Sequence, residues 1–102
     1  MNDIENTVKN ESSGVRISRT PLFGRTYATN TFVSLTDSDI RIELLNEKFK
    51  NNDSWLYHSD HMVILTREAA KKLMLDLQKQ ISQYEEKNGE IEVSEDRTSM
   101  ES

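Results

Sequence analysis

Apolar residues alternate with polar ones along residues 27–36. Tyr27, Thr29, Thr31, Val33 and Leu35 fall on one side of an extended chain, and Ala28, Asn30, Phe32 and Ser34 on the other. β-branched and aromatic residues dominate, as a pleated strand prefers. Thr36-Asp37-Ser38-Asp39 reads as a turn, because these short polar side chains bond nearby backbone amides. Ile40, Ile42 and Leu44 then alternate with Arg41, Glu43 and Leu45, which predicts a second strand with one wet face. The short turn makes the pair an antiparallel hairpin.

Residues 47–54 read as a polar loop, and residues 55–65 as a third strand. Met62-Val63-Ile64-Leu65 is apolar on both faces, the pattern of a central strand covered on both sides. Thr66 follows as a helix cap, with Glu68 near the positive end of the helix dipole. Ala70, Leu73, Leu77, Ile81 and Tyr84 recur at steps of three and four, flanked by Met74, and form one apolar stripe. Gly89 suits a left-handed stop, so the helix is expected at about 66–88. Leu75 is the misfit, about 160° from Leu77 around the helix and surrounded by Lys71, Lys72, Gln78 and Ser82.

The ends read differently. Residues 1–14 are polar and charged, and Pro21 and Gly24 interrupt the chain before anything regular begins. Val15-Arg16-Ile17-Ser18-Arg19 alternates apolar and basic residues, as a short strand or an extended recognition arm would. The expected organisation is a flexible arm over residues 1–26, a folded domain over 27–91 and a disordered acidic tail over 92–102. The fold class is α+β: a three-stranded antiparallel sheet with one long C-terminal helix across one face.

Charge refines this picture. The net charge is −5, distributed as +1 over residues 1–26, −2 over 27–89 and −4 over 90–102. An acidic domain and tail repel phosphates, so nucleic acid is disfavoured as a generic partner. Arg16, Arg19 and Arg25 with Phe23 are nonetheless the minimum ingredients of a nucleic-acid or acidic-protein contact. On the β-hairpin, Arg41 stands among Glu43, Asp37 and Asp39, the wrong charge for entering a DNA groove.

Most chemistry is unsupported. The chain has no Cys, which excludes disulfides and thiolate metal sites. His58 and His61 form an H-x-x-H pair beside Asp60, but positions three apart on a strand face opposite sides. There is no nucleophile elbow, and the three glycines are isolated, so no phosphate cradle is expected. Asp37 and Asp39 sit in an exposed turn and make poor general acids. The expectation is a protein that is not an enzyme and needs no cofactor or metal. No apolar run approaches the ~20 residues of a membrane span, and no signal peptide opens the chain, so a cytoplasmic location is expected.

Several segments taken in order resemble a small bacterial and archaeal family of unknown function. Tyr27-Ala28-x-Asn30-x-Phe32-Val33 resembles its opening, with Thr29 as an extra residue inside the usual Tyr-Ala-Asn. Val63-Ile64-Leu65-Thr66, Ala70-Lys71-Lys72-Leu73 and Tyr84-Glu85-Glu86-Lys87-Asn88-Gly89 resemble its strand, capped helix and helix end, and Glu90-Ile91 its continuation. Arg67 stands where the family often has Pro. The resemblance covers residues 27–91. It implies the sheet-and-helix fold and self-association, and lends no catalytic residue.

A folded unit of roughly 60 residues buries only about 60% of its unfolded surface and is marginal alone. Phe32, Leu45, Trp55 or Leu56 and the segment 62–65 carry more apolar surface than one helix can hide. The expected partner is therefore a second copy, joined through the sheet, in a homo-oligomeric protein-binding or assembly module. Arg16, Arg19, Phe23, Arg25, Phe32, Trp55 and Leu75 are the candidate interaction residues. The rival expectation is a small accessory regulator that meets nucleic acid through the basic arm.

Overall fold

The computed structural model describes residues 7–9 and 14–98. The chain forms strands β1 (Thr7–Lys9), β2 (Arg16–Ser18), β3 (Asn30–Leu35), β4 (Ile40–Leu45), β5 (Phe49–Asn51), β6 (Ser54–Leu56) and β7 (Ser59–Leu65). Helix α1 (Arg67–Asn88) follows, then the single turn α2 (Glu95–Thr98). Strands β3, β4 and β7 form an antiparallel sheet in the order β3-β4-β7, and β1-β2 and β5-β6 are separate antiparallel pairs. The expected α+β plan of a three-stranded antiparallel sheet followed by a long helix is present, with two further hairpins.

The turn between β3 and β4 forms where the polar run predicts it. Thr36 N–H donates to the Asp39 carbonyl at 3.0 Å. The Thr36 hydroxyl donates to Asp39 Oδ1 at 2.6 Å and accepts the amides of Ser38 and Asp39 at 3.2 and 3.0 Å. Arg41 Nε adds a bond to Asp39 Oδ1 at 3.0 Å, and Arg67 of the helix donates to the Asp37 carbonyl. A hydrogen-bonded pair at Thr36 and Asp39 sets the phase of the whole sheet, because antiparallel ladders alternate. Ile40, Ile42 and Leu44 therefore bond to Leu65, Val63 and His61, and the amides and carbonyls of Met62 and Ile64 face away from β4.

Register assigns the two faces. Val33, Ile42 and Val63 lie in one row, and Leu35, Ile40 and Leu65 in the next, on the face that meets α1. Phe32, Glu43 and Met62 lie on the other face. The Leu45 face was expected to be wet. It is the better covered one, and Leu45 at 4% exposure is the one buried apolar side chain among the described residues. The reason is the β5-β6 hairpin, which brings Trp55, Leu56 and Tyr57 over Leu45.

That hairpin also corrects the reading of residues 47–54 as an unstructured loop and of a strand running from 55. Asn51 pairs with Ser54 across a turn at Asn52, whose φ of 57° is a left-handed conformation that asparagine tolerates. Three-residue strands are too short for alternation to reveal them. Two more boundaries differ. Strand β3 begins at Asn30, leaving Tyr27 outside and 81% exposed. Strand β7 stands at the edge of its sheet, where the two-sided apolar run 62–65 had predicted a central place.

Helix α1 follows its local signals closely. Thr66 Oγ1 accepts the Ala69 amide at 3.1 Å, Glu68 lies in the first turn and Lys87 in the last. Gly89, at φ 90°, donates to the Glu85 carbonyl at 2.9 Å and ends the helix. Glu85 Oε2 accepts the Ile91 amide at 2.8 Å and turns the chain back. Within 92–98, α2 then meets the segment after β4. Arg97 Nη2 donates to Glu47 Oε2 at 2.7 Å, Lys48 pairs with Asp96 at 3.2 Å, and the Tyr57 hydroxyl donates to the Asp96 carbonyl at 3.3 Å. The parts of the expected arm and tail at 1–6, 10–13 and 99–102 lie outside the described residues.

Candidate interaction surfaces

Three surfaces stand out, and two of them gather five of the seven candidate interaction residues. The first is a cleft of about 560 Å³ between α1 and the sheet. Val33, Ile40 and Ile42 form its floor, and Ala70, Leu73 and Leu77 its helical wall, with Arg67 and Lys71 at the rim. The helix stripe is in the predicted phase, yet it is not covered: Leu73 is 37% exposed and Leu77 49%. Val33, on the floor, is 52% exposed. The helix approaches the sheet mainly at β7, its own predecessor in the chain.

The second surface is a shallower cleft of about 330 Å³ on the opposite face. Here Phe32 and Trp55, distant in sequence, come together around Leu45 and Leu56, with Glu43 as the polar neighbour. Lys48 Nζ lies 5.2 Å and Lys50 Nζ 5.9 Å from the Trp55 ring centroid, so the indole carries two cations on its exposed side.

The third is the arm. Arg19 Cζ stands 4.5 Å and Arg25 Cζ 5.7 Å from the centroid of the Phe23 ring. The structure thus brings three of the four predicted arm residues into one cluster. Arg16 lies apart on β2, opposite Lys9 of β1. Among the described residues no carboxylate pairs with Arg16, Arg19 or Arg25. Leu75 stands alone on the far side of α1, 51% exposed.

The two histidines do different work. His58 precedes β7 and its ring meets Phe49 edge-on at 4.5 Å, while His61 on β7 meets Thr26 Oγ1 through Nδ1 at 3.0 Å. Among the described residues, no group of three His, Cys, Asp or Glu side chains is placed to hold a metal ion. Nor is any helix there long and apolar enough to cross a membrane.

Among the described residues two carboxylates have shifted acidity, one in a turn and one in a long-range contact. Asp39 is held below the ordinary aspartate value by the Thr36 hydroxyl first and Arg41 second. Glu47 is held below the ordinary glutamate value chiefly by its hydrogen bond with Arg97. The Glu47–Arg97 contact was not legible in the sequence. Arg97 is the lone cation in a run of acids, and nothing in local spacing points it at Glu47.

A family model described as a protein of unknown function, DUF3467, matches residues 1–93. The chain belongs to DUF3467. The match reaches further than the resemblance over 27–91, and takes in the basic arm that the resemblance left aside. The arm, the sheet, α1 and the residues just after it are therefore all part of the DUF3467 unit. No curated protein and no solved structure matches the chain.

Proposed function

We propose that this DUF3467 chain is a non-enzymatic homo-oligomeric assembly module that works as a homodimer built through its sheet-and-helix domain. The supporting observation is the uncovered apolar surface of helix and sheet, where Leu45 is the one buried apolar side chain among the described residues. Val33, Leu35, Val63, Leu73, Met74, Leu77, Ile81 and Tyr84 are each between 37% and 73% exposed. A scattered exposed leucine needs no explanation, whereas exposed apolar residues gathered around one cleft, as Val33, Leu73, Met74 and Leu77 are, mark an interaction site. No residue is assigned a catalytic role.

Sedimentation of the full chain at micromolar concentration tests this. The expected mass is twice that of the 11.8 kDa chain, with a melting temperature that rises with concentration. A single-chain mass together with a melting temperature unchanged over a hundredfold dilution would refute it.

The second reading, contact with nucleic acid through the arm, has the Arg19–Phe23–Arg25 cluster behind it. Guanidinium groups that meet no carboxylate among the described residues, beside an aromatic ring, suit a phosphate backbone and its bases. Binding of single-stranded RNA or DNA that weakens steeply with salt, and is lost in Arg19→Ala/Arg25→Ala, would favour it over assembly alone.

A further inference from the structure

We infer that a second copy of this chain adds to the sheet along the outer edge of β7, joining two three-stranded sheets into one six-stranded antiparallel sheet. This rests on the homodimer proposed above and specifies where its interface runs.

Strand β7 has the character of an interior strand and the position of an edge. Its segment 62–65 is Met-Val-Ile-Leu, with Met62 46% and Ile64 55% exposed on one face and Val63 38% exposed on the other. Natural edge strands protect themselves with lysine, proline, a bulge or very short length. Strand β7 is seven residues long, its segment 62–65 carries no charge and no proline, and its register shift lies at the other end, where Leu45 meets Ser59. The outward amides and carbonyls of Met62 and Ile64 have no hydrogen-bond partner among the described residues.

The opposite edge is different. Odd positions of β3 face outward by the same ladder phase. There the Thr31 amide is already taken by Asn30 Oδ1 at 2.8 Å. One outer edge is thus partly satisfied by its own chain, and the other is open and apolar.

A two-fold axis through Val63 satisfies the open edge. Met62 and Ile64 of one copy then exchange N–H···O bonds with Ile64 and Met62 of the partner subunit, and each Val63 faces its own copy across a non-hydrogen-bonded position. The axis runs perpendicular to the sheet, so both helices fall on the same face. Each α1 lies nearest its own β7, which sets the two helices beside each other over the seam. The apolar run 62–65 becomes what its pattern predicts, a strand with neighbours on both sides.

The absence of native cysteine makes single-cysteine cross-linking a clean test. Met62→Cys, Val63→Cys, Ile64→Cys and, on the other edge, Val33→Cys are oxidised separately in the full chain. Val63→Cys is expected to convert most of the protein to covalent dimer, with Val33→Cys remaining single. A strong cross-link at 62 or 64 in its place also supports the edge and moves the two-fold axis by one residue, a register shift of two. In parallel, Ile64→Pro removes an outward amide and leaves the β4 ladder intact. By symmetry it deletes two bonds per dimer, and is expected to raise the dimer dissociation constant roughly tenfold to a hundredfold while the helical circular dichroism persists. If Ile64→Pro fails to fold, the cysteine scan decides alone. Cross-linking at Val33 and none at 62–64 would overturn this edge and leave the homodimer standing. So would a sedimenting dimer that cross-links at none of the four positions. A wild-type monomer would overturn both.

Discussion

Arg97 Nη2 meets Glu47 Oε2 at 2.7 Å across fifty residues of sequence, and fastens the segment after the long helix to the segment after β4. Lys48–Asp96 and Tyr57–Asp96 join the same two segments. Glu47 and Asp96 are 65% and 77% exposed and Arg97 and Lys48 half-buried, so water screens both ion pairs and the contact holds a segment in place without carrying the stability of the sheet. Arg97→Ala is therefore expected to leave the melting temperature nearly unchanged and to speed hydrogen exchange and proteolytic cutting within 90–98. A large drop in melting temperature would mean that α2 is part of the folded core.

Asp39 makes a pH-dependent contribution at the β3-β4 turn. Its folded pKa is depressed by the Thr36 hydroxyl and by Arg41. A depressed carboxylate contributes stability that is present above its unfolded value and is lost as pH falls through its folded value. The wild type should therefore exceed Asp39→Asn in melting temperature at neutral pH, and the gap should close on acidification below the ordinary aspartate range. A gap that widens with acid would contradict the turn geometry.

The helix and the first hairpin were legible because their signals are local. Thr66, the stripe from Ala70 to Tyr84 and Gly89 each act within a turn or two, and so do Thr36 and Asp39. The hairpin over Leu45 was not legible. Phe49-Lys50-Asn51 and Ser54-Trp55-Leu56 are too short to show a period, and their role depends on a tertiary contact with Leu45. Phe32 and Trp55 were visible as unplaced apolar residues, and that they share one cleft was not. For β7 the two-sided apolar pattern and the edge position disagree. The disagreement is informative, because a pattern selected in an assembly need not fit one chain taken alone.

The two helix caps can be tested one residue at a time. Thr66→Ala removes the acceptor for the Ala69 amide and should cost about 1 kcal/mol, the usual cost of losing such a cap. Thr66→Asn should retain most of it, since asparagine caps as well. Gly89→Ala places a Cβ on a residue at φ 90°, where L side chains are strained, although open space surrounds it. It should cost on the order of 1 kcal/mol through the backbone alone. Denaturant melts with unchanged slope check both values. A neutral Gly89→Ala would mean that the helix end rearranges freely.

Leu77 and Leu75 separate the isolated chain from its assembly. Within one chain they are almost equally exposed, 49% and 51%, though they stand on opposite sides of α1. Leu77 lines the cleft against Val33 and Ile42, and Leu75 lies among Lys71, Lys72 and Gln78. If each chain works alone, truncating either side chain removes half-exposed surface, and both should cost about 1 kcal/mol or less. If a second copy also covers the cleft, a contact additional to the β7 seam, Leu77 becomes a buried leucine, and Leu77→Ala should cost about 2–5 kcal/mol at concentrations where the dimer forms. Leu75→Ala should stay within about 0.5 kcal/mol, as exposed positions do. Dilution should then shrink the Leu77 penalty toward that of Leu75, because the covering surface leaves with the partner. Chemical denaturation of both variants at high and low protein concentration measures this convergence. Equal penalties at every concentration would place the cleft outside the interface.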